Sequence, residues 1–193
     1  MSSHTVSSAQ GSIARPEGSA GRIARIAQLK REGRPIVMVT AYDVAGARAC
    51  EAAGVDIILV GDSGANVVLG YATTREVTLD EMLMLTKAAR RGTTAALLVG
   101  DLPFGTYESS DELAVATAQR FVAEAGCDAV KLEGGEEMVP QVELLTRSGI
   151  PVMAHIGFTP QSEHNLGGYR VQGRGDAAQK LVSEAKALEA AGA

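Results

Sequence analysis

Residues Ala129 to Glu137 read AVKLEGGEE, an apolar run that carries a lysine and a glutamate two positions apart. On a β-strand residues i and i+2 face the same side, so Lys131 and Glu133 project together while Val130 and Leu132 face the other way. Charges on one side of an otherwise apolar strand are seldom buried without a partner or a task. Acids close two other apolar runs: Asp62 follows IILVG and Asp101 follows ALLVG. Singly, an Asp at such a place makes an Asx turn or caps a helix as readily as it does chemistry. Together, three carboxylates in a partly desolvated mouth repel one another and must protonate unless a cation neutralises them. Oxygen-only ligation in an open site suits Mg2+. Asp62, Asp101 and Glu133 are therefore the candidate metal ligands, and Lys131 is left as a donor to a substrate carboxylate or carbonyl oxygen. His155, in PVMAHIG, completes the set, although a histidine in an apolar stretch is as readily a hydrogen-bonded core residue. Tyr42 can hydrogen-bond into the site, whereas Asp43 reads as the N-cap of a helix over Val44 to Ala53.

These residues cooperate only if the chain delivers them to one place. From Arg34 onward a unit recurs, in EAAGVDIILVGD, ARRGTTAALLVGD, AEAGCDAVKLEGG and TRSGIPVMAHIG: a helix tail, a glycine, then a short apolar strand. Gly54, Gly92, Gly126 and Gly149 fall where a helix C′ residue takes the left-handed conformation. Thr78 to Glu81 and Ser109 to Glu112 read as capping boxes, and Asp176 to Gln179 as an Asp-led variant. Strict alternation of strand and helix means parallel βαβ units. The strands are predicted near Ile36 to Tyr42, Asp56 to Gly61, Ala95 to Gly100, Ala129 to Glu133 and Pro151 to Ile156. In such folds chemistry gathers at the C-terminal ends of the strands, where all the candidate residues lie.

The final segment, DAAQKLVSEAKALEAAGA, is a helix closing on the Ala-Gly signal that elsewhere precedes a strand. An eight-stranded barrel needs about 250 residues. The rhythm therefore predicts an α/β protein of (β/α)8 TIM-barrel class, with 34–193 forming the first five β/α units of one catalytic domain that stops before the sixth strand. A complete open sheet of flavodoxin or Rossmann type is the alternative. Residues 1–33 are expected to be an N-terminal arm and lead-in. Met1 to Arg22, rich in Ser, Gly and Ala, reads as mobile. The loop GFTPQSEHNLGGYRVQGRGD is long enough to be a functional lid. Its Gly173-x-Gly175-x-x-Ala178 match to a dinucleotide fingerprint carries little weight, because no strand precedes it.

Composition narrows the partners. A net charge of −5 and a pI near 5.3 argue against nucleic acid or an anionic membrane and favour a small-molecule ligand. Cys50 and Cys127 have no metal-binding or disulfide spacing, and no run is long enough to span a membrane, so a cytoplasmic protein is expected.

Several strings, in order from Arg34 to Ala193, resemble the ketopantoate hydroxymethyltransferase family: VTAYD, LVGDS, TTREVTLDEM, DLPFGTY, AVKLEGG, PVMAHIGFTPQS and GGYRVQGRGD. The family belongs with the phosphoenolpyruvate mutase and isocitrate lyase group. The resemblance implies a (β/α)8 barrel, Mg2+ dependence, and hydroxymethyl transfer from 5,10-methylenetetrahydrofolate to 3-methyl-2-oxobutanoate through a stabilised enolate, giving ketopantoate for pantothenate synthesis. It puts the metal on Asp62, Asp101 and Glu133, and substrate contacts on Asp62, Ser63, Asp101 and Lys131, with His155 lining the pocket. It also implies a homo-oligomer, a decamer. The family's general base is a glutamate on the next strand, which no residue here matches, so no catalytic base is assigned. Gly64-Ala65-Asn66 departs from the Leu-Gly-Met of many relatives. The competing expectations are a relative that makes or breaks a carbon-carbon bond in another 2-oxo acid, and a truncated, noncatalytic polypeptide.

Overall fold

The computed structural model describes residues 18–193. The mobile arm expected over Met1 to Arg22 lies outside the described residues except at its end, where the expectation is corrected. There the chain forms α1 (Ser19–Arg31), a helix docked on the sheet. Five strands follow, β1 (Met38–Thr40), β2 (Ile57–Val60), β3 (Leu97–Asp101), β4 (Ala129–Glu133) and β5 (Val152–His155). Between and after them come α2 (Val44–Ala53), α3 (Leu79–Arg90), α4 (Asp111–Ala123), α5 (Val139–Arg147), a short α6 (Glu163–Leu166) and α7 (Ala177–Ala190).

All pairings are parallel and the order is β1-β2-β3-β4-β5. A doubly wound sheet reverses direction at a switch point, and this one does not. Sequential order is that of successive staves of a barrel. Both faces of β2, β3 and β4 are covered, as parallel strands require. Ile58, Val60, Leu98, Val130 and Leu132 face a layer containing Ala47, Met82, Phe121 and Leu145 of the helices. Ile57, Leu97, Val99 and Ala129 face the other way and meet Ile23 and Ile26 of α1. β1 and β5 each have one strand neighbour, and the β1 residues are exposed.

Local signals are mostly met. Asp43 caps α2 by accepting from the Gly46 N–H at 2.6 Å. Thr78 and Glu81 form a reciprocal capping box. Gly54, Gly126 and Gly149 have φ of 77°, 72° and 80°.

Four details differ. Strand β1 is three residues rather than seven, because with one neighbour its flanks hold only isolated bonds, such as Ala41 N–H to the Leu59 carbonyl. The cap of α4 is Ser110, not Ser109, and it accepts from the Leu113 N–H. Asp176 precedes α7 without a side-chain cap bond. Gly92 is not left-handed; it is small because a Cβ there would stand 2.5 Å from the Val44 carbonyl and 2.8 Å from the Ala47 Cβ. That glycine lets the end of α3 press against α2.

Candidate active site

Register assembles the site. β3 and β4 pair Asp101 with Lys131, and β4 and β5 pair Glu133 with His155. Paired residues of parallel strands project to the same face, so the four side chains share one side at the C-terminal ends. Lys131 Nζ donates to both Asp101 carboxylate oxygens at 2.9 Å and to Glu133 Oε1 at 3.1 Å. His155 Nδ1 lies 3.1 Å from the same Glu133 oxygen. Asp62, in the loop after β2, joins through its backbone N–H, which donates to Asp101 Oδ2 at 3.0 Å. Asp62, Asp101, Lys131 and Glu133 are all buried, while His155 is partly open. Ser63 stands at the edge, its Oγ 2.9 Å from the Tyr42 hydroxyl.

The electrostatics follow from too many acids around one base. Burial pushes Asp101 up to about 7 against the pull of Lys131, and Asp62 adds repulsion. Burial also raises Asp62, opposed by the Gln161 amide and by Lys131. Glu133 goes the other way: burial would raise it, but His155, Lys131 and the Gln161 N–H together hold it below the usual carboxylate range. Burial alone would lower Lys131, yet Asp101 and Glu133 beside it hold its ammonium above the ordinary value. Lys131 is thus an ammonium and Glu133 a carboxylate at neutral pH. The proton that relieves the crowding goes to an acid, Asp101 first.

Two contributors lie in strings that carry the family resemblance, but nothing in their type or spacing marks them as site residues. Gln161 is 2 % exposed and bonds to Asp62 and Glu133 at once. Tyr107 is buried behind it, its hydroxyl 2.6 Å from Gln161 Oε1. An amide in a loop and a tyrosine after Gly-Thr have no periodicity that would single them out. Beside them opens a cavity of about 540 Å3, lined by Phe104, Tyr107, Glu133, Met138, Gln161 and Leu181 among others. That is the volume of a small-molecule pocket.

Among the described residues no three His, Cys, Asp or Glu side chains are arranged to hold a metal ion. The Lys131 ammonium stands between Asp101 and Glu133 as their counter-ion. The donor chemistry nevertheless fits a hard divalent cation. Asp62, Asp101 and Glu133 offer only oxygen and outnumber their one ammonium. The buried Thr74 hydroxyl lies near enough to Asp62 to oppose the rise of its pKa, makes no well-formed hydrogen bond among the described residues, and is a further oxygen. A cation entering here competes with Lys131 for Asp101.

An all-parallel sheet in sequential order, with acids and a lysine gathered at its C-terminal rim, defines an α/β protein of barrel type. A solved 2,3-dimethylmalate lyase, itself a phosphoenolpyruvate mutase/isocitrate lyase superfamily member, matches 89 % of this chain and 61 % of its own, with a TM-score of 0.63 and 18 % identity. A phosphonopyruvate hydrolase solved with oxalate and Mg2+ matches 89 % of this chain and 60 % of its own, with a TM-score of 0.66 and 18 % identity. Within that class the chain belongs to the ketopantoate hydroxymethyltransferase family, whose profile matches residues 21–193. It is 58 % identical over 165 residues to the 3-methyl-2-oxobutanoate hydroxymethyltransferase of Rhodococcus jostii, covering 86 % of this chain. The chain spans 57 % of the length of that relative and 64 % of one from Saccharopolyspora erythraea.

Proposed function

We propose that the whole protein transfers a hydroxymethyl group from 5,10-methylenetetrahydrofolate to 3-methyl-2-oxobutanoate, giving ketopantoate for pantothenate synthesis. The observation that carries this reading is Lys131 held between Asp101 and Glu133 at the strand ends, in a chain 58 % identical to a relative of that name. Asp62, Asp101 and Glu133 would hold Mg2+, which supplies Lewis acidity toward the two oxygens of a 2-oxo acid. The phosphonopyruvate hydrolase solved with oxalate and Mg2+, a protein of like fold, supports a pairing of that kind.

The chain's own residues supply the rest. Lys131 brings a fixed positive charge to the place where negative charge develops on the keto oxygen as C3 loses its proton. Burial makes that charge count, because little water screens it. Glu133 accepts from His155 Nδ1, which leaves Nε2 of this partly exposed ring without a hydrogen bond among the described residues. Ser63 and Tyr42, bonded to one another, offer hydroxyls to a substrate carboxylate at the rim. The relatives' name favours hydroxymethyl transfer over carbon-carbon cleavage of another 2-oxo acid, since the lyase likeness is at 18 % identity and extends to the fold alone.

Proton exchange at C3 of 3-methyl-2-oxobutanoate in deuterated water, followed by NMR with the full-length protein and Mg2+, tests the reading. Exchange without folate, then ketopantoate once methylenetetrahydrofolate is added, is the expected result. Absence of both would refute it. A decameric assembly belongs to the same reading, and light scattering on the full-length protein checks it. No helix of the described residues is long and apolar enough to cross a membrane.

A further inference from the structure

Every polar atom of the Gln161 side chain is engaged. Nε2 donates to Asp62 Oδ2 at 2.9 Å and to the Leu102 carbonyl at 2.9 Å, and Oε1 accepts from the Tyr107 hydroxyl at 2.6 Å. The Gln161 backbone N–H donates to Glu133 Oε2 at 3.0 Å. Chemistry permits one orientation of the amide. The Leu102 carbonyl can only accept, so the NH2 end must face it and, with it, Asp62. Tyr107 favours the same choice from the other side. Its oxygen accepts from the Glu133 N–H at 3.2 Å, and its proton has a shorter path to Gln161 Oε1 than to the Glu133 carbonyl at 3.3 Å. A directional chain results, from the Glu133 backbone through Tyr107 and Gln161 to Asp62. Each donor in it polarises the next.

Gln161 sits at the start of the long segment after β5, in the short helical turn Pro160–Ser162. It is 99 residues from Asp62 and 28 from Glu133 in the chain. One loop residue therefore grips an acid from each of two strands' ends. Its side chain takes Oδ2 of Asp62 and leaves Oδ1 clear of the amide. A carboxylate steered in this way by a buried neutral donor presents its other oxygen in a fixed direction, which is how groups behind a metal ligand tune affinity.

We infer that Gln161 is a positioning residue for the divalent-cation site, fixing the Asp62 carboxylate through its amide, with Tyr107 acting through Gln161 to hold that amide in place. The inference rests on the metal reading proposed above. It concerns Asp62 through the side chain only. The hold on Glu133 is a backbone bond that survives substitution.

Electron paramagnetic resonance titration of the full-length protein with Mn2+, without substrate or turnover, reads the affinity directly. Gln161→Met keeps the length and removes both donors, and is expected to weaken Mn2+ binding about tenfold. Tyr107→Phe removes one hydroxyl and should weaken it about threefold. The double variant should bind no worse than Gln161→Met alone, because a residue acting through another contributes nothing once that other is gone. A mere packing role lowers the unfolding temperature and leaves affinity unchanged. Affinity of Gln161→Met within twofold of wild type, or effects of the two substitutions that multiply, would overturn the inference. Should Gln161→Met not fold, Tyr107→Phe decides: an unchanged affinity overturns it and a threefold loss upholds it. A wild-type protein that binds no Mn2+ at millimolar concentration overturns the metal reading and this inference with it, an outcome distinct from unchanged affinity in the variants.

Discussion

Both ends of one sheet carry buried acids, and the protein treats them in opposite ways. At the N-terminal end Asp56 and Asp128 stand one residue before β2 and β4, and each meets an arginine of α1. Arg22 grips Asp128 with two nitrogens, Nε at 2.8 Å and Nη2 at 2.5 Å, while the Leu98 N–H and Arg90 approach the same carboxylate. Arg25 Nη2 lies 2.6 Å from Asp56, which also accepts from the Val37 N–H. Nearby, Glu51 of α2 accepts from the backbone N–H groups of Thr94, Ala95 and Ala96 just ahead of β3. These acids are fully answered. At the C-terminal end Lys131, His155 and the Gln161 N–H answer Glu133, but Asp62 and Asp101 are left with a share of the same Lys131 ammonium, and Asp101 is pushed up to about 7. A satisfied carboxylate ties helix to sheet; an under-satisfied one keeps its appetite for a cation. In the function proposed above, the same residue type serves stability at one end and ligand binding at the other, because the supply of partners differs.

Replacing the two cationic partners sharpens that contrast most. Lys131→Met in the full-length protein is expected to lower kcat roughly 10^2- to 10^3-fold, as loss of a charge aimed at a developing oxyanion does. The Michaelis constant should change much less. A rise in KM alone, with kcat intact, would make Lys131 a ground-state contact and break the comparison. Arg22→Met should do the reverse. Removing one partner of a buried pair costs about 3 kcal/mol, measured by urea unfolding, while kcat/KM of the folded protein stays within about twofold of wild type. Equal losses of activity and stability there would show that the two ends are not separate in function.

The pH response should have opposite sign at the two ends. The folded pKa of Asp101, about 7, lies above the ordinary 3.8, so between those values the native state binds more protons than the unfolded chain. Its contribution therefore turns against the fold as pH rises from about 4 to about 7, and Asp101→Asn should flatten that slope in unfolding curves at a series of pH values. Glu51 is the mirror case. Burial would raise it, but the N–H groups of Ala96, Thr94 and Ala95 and the Thr94 hydroxyl bring it below its ordinary 4.5. Its stabilisation is present above the unfolded value and is lost as pH falls through the folded one. Glu51→Gln should cost about 1 kcal/mol at pH 7 and remove part of the acid-side loss. A steeper acid-side loss in that variant would contradict the assignment.

Much of the scaffold is legible along the chain because its causes are short-range. β4 matches its expected bounds, Ala129 to Glu133, since Gly126 closes the preceding helix and Gly134 ends the run. The Asp43 and Thr78 caps are equally local. Misses arise where a distant contact decides. Ser19–Arg31 lacks a strong apolar stripe, and becomes a docked helix because Ile23 and Ile26 find the sheet and Arg22 and Arg25 find acids. Gly92 looked like a left-handed cap but is required by the closeness of α2.

The site divides in the same way. Period-two alternation alone puts Lys131 and Glu133 on one face, and the place of Asp62 and Asp101 just after or at the end of apolar runs assigns them to the rim, whatever the rest of the molecule does. Three facts required tertiary structure. Asp101 lies beside Lys131 through the register of β3 against β4, which depends on how helices pack on the sheet. Lysine, rather than a gap, fills the space between the acids, because buried charges in a folded interior must find the nearest opposite one. Gln161 reaches Asp62 across 99 residues, a contact that no local pattern encodes, since only closure of the loop after β5 brings that amide to the rim.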